Sequence, residues 1–360
     1  MGFTVRAIGS AVPDQSVTLE EAVSLAAEVV PASEHRKVVT IYRGSGVEKR
    51  HSVLLRERDD PAEAPAWNLY PTTSDARDLG PRTSERMRAY EDHAGSLAAE
   101  AITKSLAASG FAPSDVSHLI LVTCSGFVSP GIDIELIGSI GLRRTLERVQ
   151  IGFMGCHGAL NGLRVAEGLV AARPGAVVVL CSIELCSLHY QYTWDLPTTV
   201  ANALFADGSA ALVGTDAGDG WKLKAAGTVV VPDTEHLMSW RIGDHGFVMG
   251  LSSAVPRMIE ASLRPWLDDW LTDQGYAFSD IGSWAIHPGG PSIIKNVQRA
   301  LDLDDDALAT SLSVLQELGN MSSSTILFII ERLIANDAPL PCVAMAFGPG
   351  LTVEAVLFDR

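Results

Sequence analysis

Three residues of this 360-residue chain join a reactive side chain to a setting that could display it: Cys156, His287 and Asn320. Cys156 lies in "IGFMGCHGALNGLRVAEGLV", between Gly155 and Gly158, where an apolar strand gives way to a helix. A thiol in the first turn of a helix meets free N–H groups and the positive end of the helix dipole, which favour the thiolate and lower its pKa. The glycines permit a sharp strand-to-helix turn of the kind that presents a nucleophile. The same stretch also suits a small buried hydrophobe, because free cysteines are commonly buried and inert.

His287, in "AIHPGGPSII", directly follows an apolar strand and is held by Pro288 and two glycines. It reads as an imidazole displayed at a strand end or as a satisfied core histidine. His35, His51 and His236 sit in polar context with no strand behind them. Asn320, in "ELGNMSSSTILFII", reads as a third strand-end group or as a helix cap before a Ser run.

The surrounding pattern supplies elements able to carry these groups. A strand opens the chain at "FTVRAIGSAVP", and a helix follows over 19–31 with Glu20 and Glu21 in its first turn. Residues 59–82 hold four prolines and no period, so they read as a long surface excursion. A long amphipathic helix over Ser84–Ser109, ended by Gly110, precedes the strand "HLILVTCSG" and the short helix "DIELIGSIGL".

The rhythm then repeats. Strands at Val149–Met154, Ala176–Ile183 and Ser209–Gly214 alternate with helices at Cys156–Ala172 and Thr198–Phe205. A second half repeats it: helix Val255–Gln274, strand "SWAIHPG", helices Pro291–Leu301 and Ser323–Asn336, then strands "CVAMAFGPG" and "TVEAVLFD". Continuous apolar strands alternating with helices specify an α/β fold, a largely parallel sheet covered on both faces. The expected units are an N-terminal half, 1–215, carrying the cysteine and a C-terminal half, 216–360, carrying the histidine and asparagine. Reactive groups gather at the carboxyl ends of the strands in such sheets.

Composition narrows the partners. With 47% hydrophobic and 19% charged residues the chain is globular. Its 27 Lys+Arg against 43 Asp+Glu give a net charge of -16, which disfavours nucleic acid and anionic membranes. Five cysteines, odd in number and without CxxC pairing, and an N-terminus without signal-peptide pattern point to the cytoplasm. No apolar run approaches the roughly 20 residues of a membrane span. No HxxxH or CxxC spacing supports a metal site, and no Gly-rich phosphate loop supports a nucleotide site.

The words around the three residues resemble one family. "GCHGALNGLRVA", "HPGGPSII", "GNMSSSTILF" and "FGPGLT" fall in the order found in type III polyketide synthases, the chalcone and stilbene synthase family. "SHLILVTCSGFVSPGID", "LCSLHYQ" and "ANALFADGSAALV" extend the likeness over roughly residues 85 to 360. It implies a thiolase-like duplicated αβαβα core with mostly parallel sheets, a homodimer, and no cofactor beyond malonyl-CoA and an acyl-CoA or acyl-carrier thioester starter. Cys156 would carry the acyl group, with His287 close enough to share its proton. His287 and Asn320 would donate to the thioester carbonyl of malonyl-CoA and stabilise the enolate left by decarboxylation. The enolate would extend the acyl chain by two carbons, iteratively, before cyclisation.

By the same resemblance Phe205 and Phe247 would form the aromatic gate, and the turn of Gly348, Pro349 and Gly350 would scaffold the cavity. Cys124, Ser129, His189, Met238 and Ser322 would line it, and Lys49 and Arg50 would lie near the CoA tunnel. Ser129 replaces a plant methionine that crosses the dimer interface, and Ala346 replaces a glycine. His189 and Met238 are bulkier than the plant Thr and Gly, which implies a smaller or redirected pocket and a short pyrone or resorcinol. Three alternatives compete with this reading. An initiating ketoacyl synthase normally has Gln-Ala-Asn after the histidine, where this chain has Pro-Gly-Gly. A thiolase would need a second catalytic cysteine, and Cys342 sits at the wrong end of its strand. A non-catalytic dimeric binding module would not need all three reactive residues.

Overall fold

The structure is a computed structural model and describes residues 2–58, 60, 63–73, 75, 77–193 and 195–360. In chain order the elements are β1 (Phe3–Ala11), β2 (Ser16–Thr18), α1 (Leu19–Ala27), α2 (His35–Gly44), β3 (Lys49–His51), α3 (Thr83–Ser109), β4 (His118–Thr123), α4 (Ile132–Ile140), β5 (Glu147–Gly152) and α5 (Gly158–Ala172). They continue with β6 (Val178–Leu185), α6 (Leu196–Leu204), β7 (Asp207–Thr215), β8 (Trp221–Val230), β9 (Met238–Gly243), β10 (Gly246–Leu251), α7 (Val255–Asp273) and β11 (Ser283–Ile286). The last are α8 (Pro291–Leu301), α9 (Ala309–Leu318), α10 (Thr325–Ala335), β12 (Cys342–Gly348) and β13 (Thr352–Asp359).

Nine strands form one sheet in the order β11-β12-β13-β8-β1-β7-β6-β4-β5. Pairing is parallel toward the two edges, β11 with β12 at one and β4 with both β6 and β5 at the other, as the helix-linked strands require. It is antiparallel through the middle, where β13, β8, β1, β7 and β6 meet. The sequence reading of a largely parallel sheet is thus fulfilled near the edges, and β8 and β1 join the two halves by antiparallel pairing.

Burial separates the layers. On β4, Ile120 and Val122 face a cluster shared with Leu160 and Leu163 of α5, Ile326 and Ile330 of α10, and Ala344 and Val356 of the other half. Leu119 and Leu121 face the opposite way, onto Ala94 and Ala98 of α3. In the other half, Val343 and Met345 of β12 meet Ile259, Leu263 and Leu267 of α7. The order is helix, one half of the sheet, helix, the other half of the sheet, helix, with α5 and α10 between the two halves. Strands buried on both faces must be apolar throughout, which is why alternation was invisible there. Each fully buried Leu or Ile contributes about 1.5–3 kcal/mol, so this middle layer is the principal bond between the halves.

Seven elements escaped the sequence reading: β2, β3, α2, α9, β8 and the hairpin of β9 and β10. The hairpin follows a period of two: Met238, Trp240 and Ile242 pair with Leu251, Met249 and Phe247 and share one apolar face. In the Pro-rich stretch, residues 59, 61, 62, 74 and 76 lie outside the described residues. Its described part includes Tyr70, which is buried and donates its hydroxyl to the Ser187 carbonyl at 2.8 Å.

Candidate active site

The nucleophile candidate owes its place to a reversal of the chain. β5 ends at Gly152, and Phe153 and Gly155 adopt left-handed φ of 62° and 82° before His157 caps α5. Cys156 therefore precedes the helix by two residues instead of lying in its first turn. A Cβ on Gly155 would meet Pro349 at 2.5 Å, so only glycine lets this loop seat on the 348–350 turn.

The chemistry at sulfur also differs from the sequence expectation. The Ser322 hydroxyl donates to Cys156 Sγ at 3.7 Å. Burial nevertheless pushes the thiol up to about 12, and the Glu184 carboxyl adds to the rise. Desolvation outweighs the helix end, so the free enzyme holds a thiol until a partner takes its proton.

His287 follows β11 and donates its backbone N–H to the Met345 carbonyl at 2.8 Å. It is 1% exposed, and neither ring nitrogen has a hydrogen-bond partner. Burial, and then the charge of nearby His157, push its pKa down to about 3, so the ring is neutral. Asn320 is not at a strand end. It follows α9 and Gly319, forms a one-residue parallel bridge with Phe205, and donates its backbone N–H to the Leu204 carbonyl at 2.9 Å. Its Oδ1 accepts from the Ser322 N–H at 2.8 Å, which turns the amide nitrogen toward the open side.

Cys156, His287 and Asn320, from three separate segments, line one cavity of about 910 Å³ together with Phe205, Met238, Met249 and Phe347. A buried imidazole with two unpaired nitrogens is costly, and such groups persist where a ligand completes them. The three groups can act on a thioester: a sulfur to accept acyl, and two N–H donors for a carbonyl oxygen that gains charge.

A second chamber of about 40 Å³ shares Phe205 and Met249 with this cavity and is also lined by Phe247, His189, Trp240 and Tyr190 among others. Phe247 stacks on His189 with centroids 4.1 Å apart, and its N–H donates to His189 Nδ1 at 3.0 Å. His189 Nε2 donates to the Ser125 carbonyl at 2.7 Å. The bulk of His189 therefore narrows this smaller chamber and not the cavity around Cys156, which redirects the volume expectation. Met238 and Phe205 line the larger cavity; Phe247 lines only the smaller.

Cys124 lines neither space. It is buried, and its sulfur accepts the Gly155 N–H at 3.1 Å. Ser129 is exposed on this single chain and also lines neither. Lys49 and Arg50 do not reach the larger cavity. Arg50 is buried and donates to the Asn202 and Ala203 carbonyls at 2.9 and 2.6 Å, satisfying the end of α6. The cations at the larger cavity are Arg257, Lys295 and Arg299, on α7 and α8. Sequence reasoning missed them because their helix faces become neighbours only in the fold. It also missed Glu184, buried on β6, which accepts from the Cys124 N–H at 2.9 Å, the Ser125 hydroxyl at 2.8 Å and the Ser323 hydroxyl. Burial pushes its carboxyl up to about 7.

A layered α/β core with a cysteine, a histidine and an asparagine converging on one cavity defines a condensing enzyme of the thiolase fold. The chain belongs to the chalcone and stilbene synthase family: residues 2–217 match its N-terminal domain and residues 222–360 its C-terminal domain. It is 33% identical to a 1,3,6,8-tetrahydroxynaphthalene synthase of Streptomyces peucetius subsp. caesius, over 99% of this chain and 93% of that protein. It is 30% identical to an alpha-pyrone synthesis polyketide synthase-like protein of Mycobacterium tuberculosis, over 99% of this chain and 90% of the relative. The crystal structure of PKS-I from the brown alga Ectocarpus siliculosus superposes with a TM-score of 0.92 at 26% identity, covering 100% of this chain and 98% of that one. The protein is a type III polyketide synthase, a carbon–carbon bond-forming acyltransferase that condenses malonyl-CoA iteratively.

Proposed function

We propose that Cys156 carries the growing acyl chain, that His287 and Asn320 drive decarboxylation of malonyl-CoA, and that the product is a short pyrone, resorcinol or related ring. The observation that carries this reading is His287, buried in the cavity with both ring nitrogens unpaired. In the loading step the Cys156 proton passes to a His287 nitrogen, the sulfur attacks the starter thioester, and the CoA thiol leaves with a proton. In the extension step the malonyl thioester oxygen accepts from His287 and the Asn320 amide. The carboxylate carbon–carbon bond breaks, carbon dioxide departs, and the electron pair becomes an enolate held by those donors. The enolate carbon attacks the acyl carbonyl on Cys156, and the thiolate is expelled.

Arg257, Lys295 and Arg299 hold the CoA phosphates, in place of the expected Lys49 and Arg50. They line the cavity, and in a chain of net charge -16 such a local basic group captures a small polyanion while the overall field repels an acidic carrier protein. The reading asks for no cofactor beyond the thioesters. Among the described residues no helix is long and apolar enough to cross a membrane. We place the enzyme in the cytoplasm as a homodimer in which exposed Ser129 meets the partner subunit.

The decisive experiment is carbon dioxide release from malonyl-CoA, with product masses over a panel of short and long acyl-CoA starters. Wild type should release carbon dioxide and yield tri- or tetraketides. Cys156→Ala should abolish condensation, and His287→Ala or Asn320→Ala should impair decarboxylation itself. No carbon dioxide release from wild type would reject the reading, and a hexaketide or longer product would reject the short-product part.

A further inference from the structure

The residues on either side of Cys156 are seated on one and the same turn. A Cβ on Gly155 would fall 2.5 Å from Pro349 Cδ, and a Cβ on Gly348 would fall 2.3 Å from His157 Cδ2 and 2.7 Å from its Nε2. The loop and the turn thus touch at two points that bracket the nucleophile. His157 is 2% exposed, and its Nδ1 meets Asn161 Oδ1 at 2.7 Å, one turn into α5. An imidazole nitrogen facing an amide oxygen carries the proton, so the ring is held in one tautomer and one orientation. The same helix is tied to the C-terminal half by Arg164, which pairs with buried Glu354 on β13; Thr228 donates to that carboxylate at 2.9 Å.

From this bracketing we infer that His157 is a positioning residue for the nucleophile: hydrogen-bonded to Asn161 and wedged under the Gly348–Gly350 turn, it sets the direction in which Cys156 presents its sulfur to His287 and Asn320. The inference rests on the proposed role of Cys156. Misplacing a reacting atom by about 1 Å can cost on the order of 100-fold in rate while binding is retained. A residue with this task therefore governs kcat and leaves KM alone.

The test compares three single variants and one double variant of the full-length enzyme in product formation from malonyl-CoA and in alkylation of Cys156 by iodoacetamide. His157→Leu fills the space without a donor, whereas His157→Asn places an amide N–H where Nδ1 stood. Asn161→Leu removes the acceptor and serves as the test should His157→Leu fail to fold. The Leu variants should lose about 10- to 100-fold in kcat with KM for malonyl-CoA within about 2-fold. His157→Asn should recover most of the loss, and the double variant His157→Leu/Asn161→Leu should be no worse than either single one. Wild-type kcat in both Leu variants would overturn the inference, as would equal losses in His157→Leu and His157→Asn, or a KM that rises in step with the fall in kcat. Failure of wild type to load an acyl group would instead count against the function proposed for Cys156.

Discussion

Two buried histidines line two neighbouring chambers, and they are held in opposite ways. His189, in the smaller chamber, uses both ring nitrogens: one donates to the Ser125 carbonyl and the other accepts the Phe247 N–H. His287, in the larger cavity, uses neither. Burial pushes both down to about 3. Residue type, burial and protonation are therefore shared, and only the hydrogen bonding separates a satisfied ring from an open one. The open ring at His287 costs stability, and under the proposed function a substrate oxygen would be its partner, whereas the network at His189 is satisfied.

The sharpest break of this comparison is in rate. His287→Ala should lower carbon dioxide release from malonyl-CoA by at least about 100-fold, the scale of losing one donor to a developing oxyanion. His189→Leu should leave that half-reaction within about 10-fold, since His189 lines only the smaller chamber. Equal losses in the two variants would erase the distinction.

Stability should run the other way. His189→Leu leaves the Ser125 carbonyl and the Phe247 N–H buried and unpaired, at about 1–3 kcal/mol each. His287→Leu removes two unpaired nitrogens and should be neutral or stabilising by up to about 1 kcal/mol. Urea unfolding with a constant m-value measures both, and a more stable His189→Leu would overturn the account of the smaller chamber.

A smaller effect concerns pH. Both rings stay neutral when folded, whereas the unfolded chain protonates them below the ordinary histidine value of 6.5. The unfolded state then binds more protons, so this stability is complete above pH 6.5 and is lost as pH falls from 6.5 toward about 3. His287→Leu should reduce the acid slope of thermal midpoint against pH. Glu184 acts with the opposite sign: its folded value of about 7 exceeds the ordinary 4.5, so its contribution is lost as pH rises between them. Glu184→Gln should flatten the curve over that window, and an unchanged curve would place the carboxyl as an anion. The smallest effect is at the mouth. Lys295→Ala should raise KM for malonyl-CoA about 5-fold and Lys49→Ala should not change it, a difference set by one charge-assisted contact.

Much of this architecture was legible in the chain. "HLILVTCSG" and "CVAMAFGPG" read as strands because a strand covered on both faces must be apolar throughout, and Gly110 marks the end of α3 with a left-handed φ of 76°. The hairpin carrying Trp240 and Phe247 was equally readable by its period of two, but its glycines hid it. Neither Lys49 nor Arg50 lines the larger cavity, because position in the sequence does not say which way a side chain faces. Arg50 turns inward to cap α6, and the cations that reach the cavity come from α7 and α8, more than two hundred residues later.

The order of residues along the chain settles which groups are available: a thiol between glycines, a histidine before Pro-Gly-Gly, an asparagine before a Ser run, and the α/β rhythm that carries them. Those follow from residue type and local periodicity, which are properties of neighbours along the chain. Tertiary structure alone decided that Cys156 would be a partly buried thiol pushed up to about 12 instead of a thiolate at a helix end, and that one histidine would be satisfied and the other left open. Desolvation and hydrogen-bond pairing depend on groups brought together from distant segments, and no local pattern encodes them.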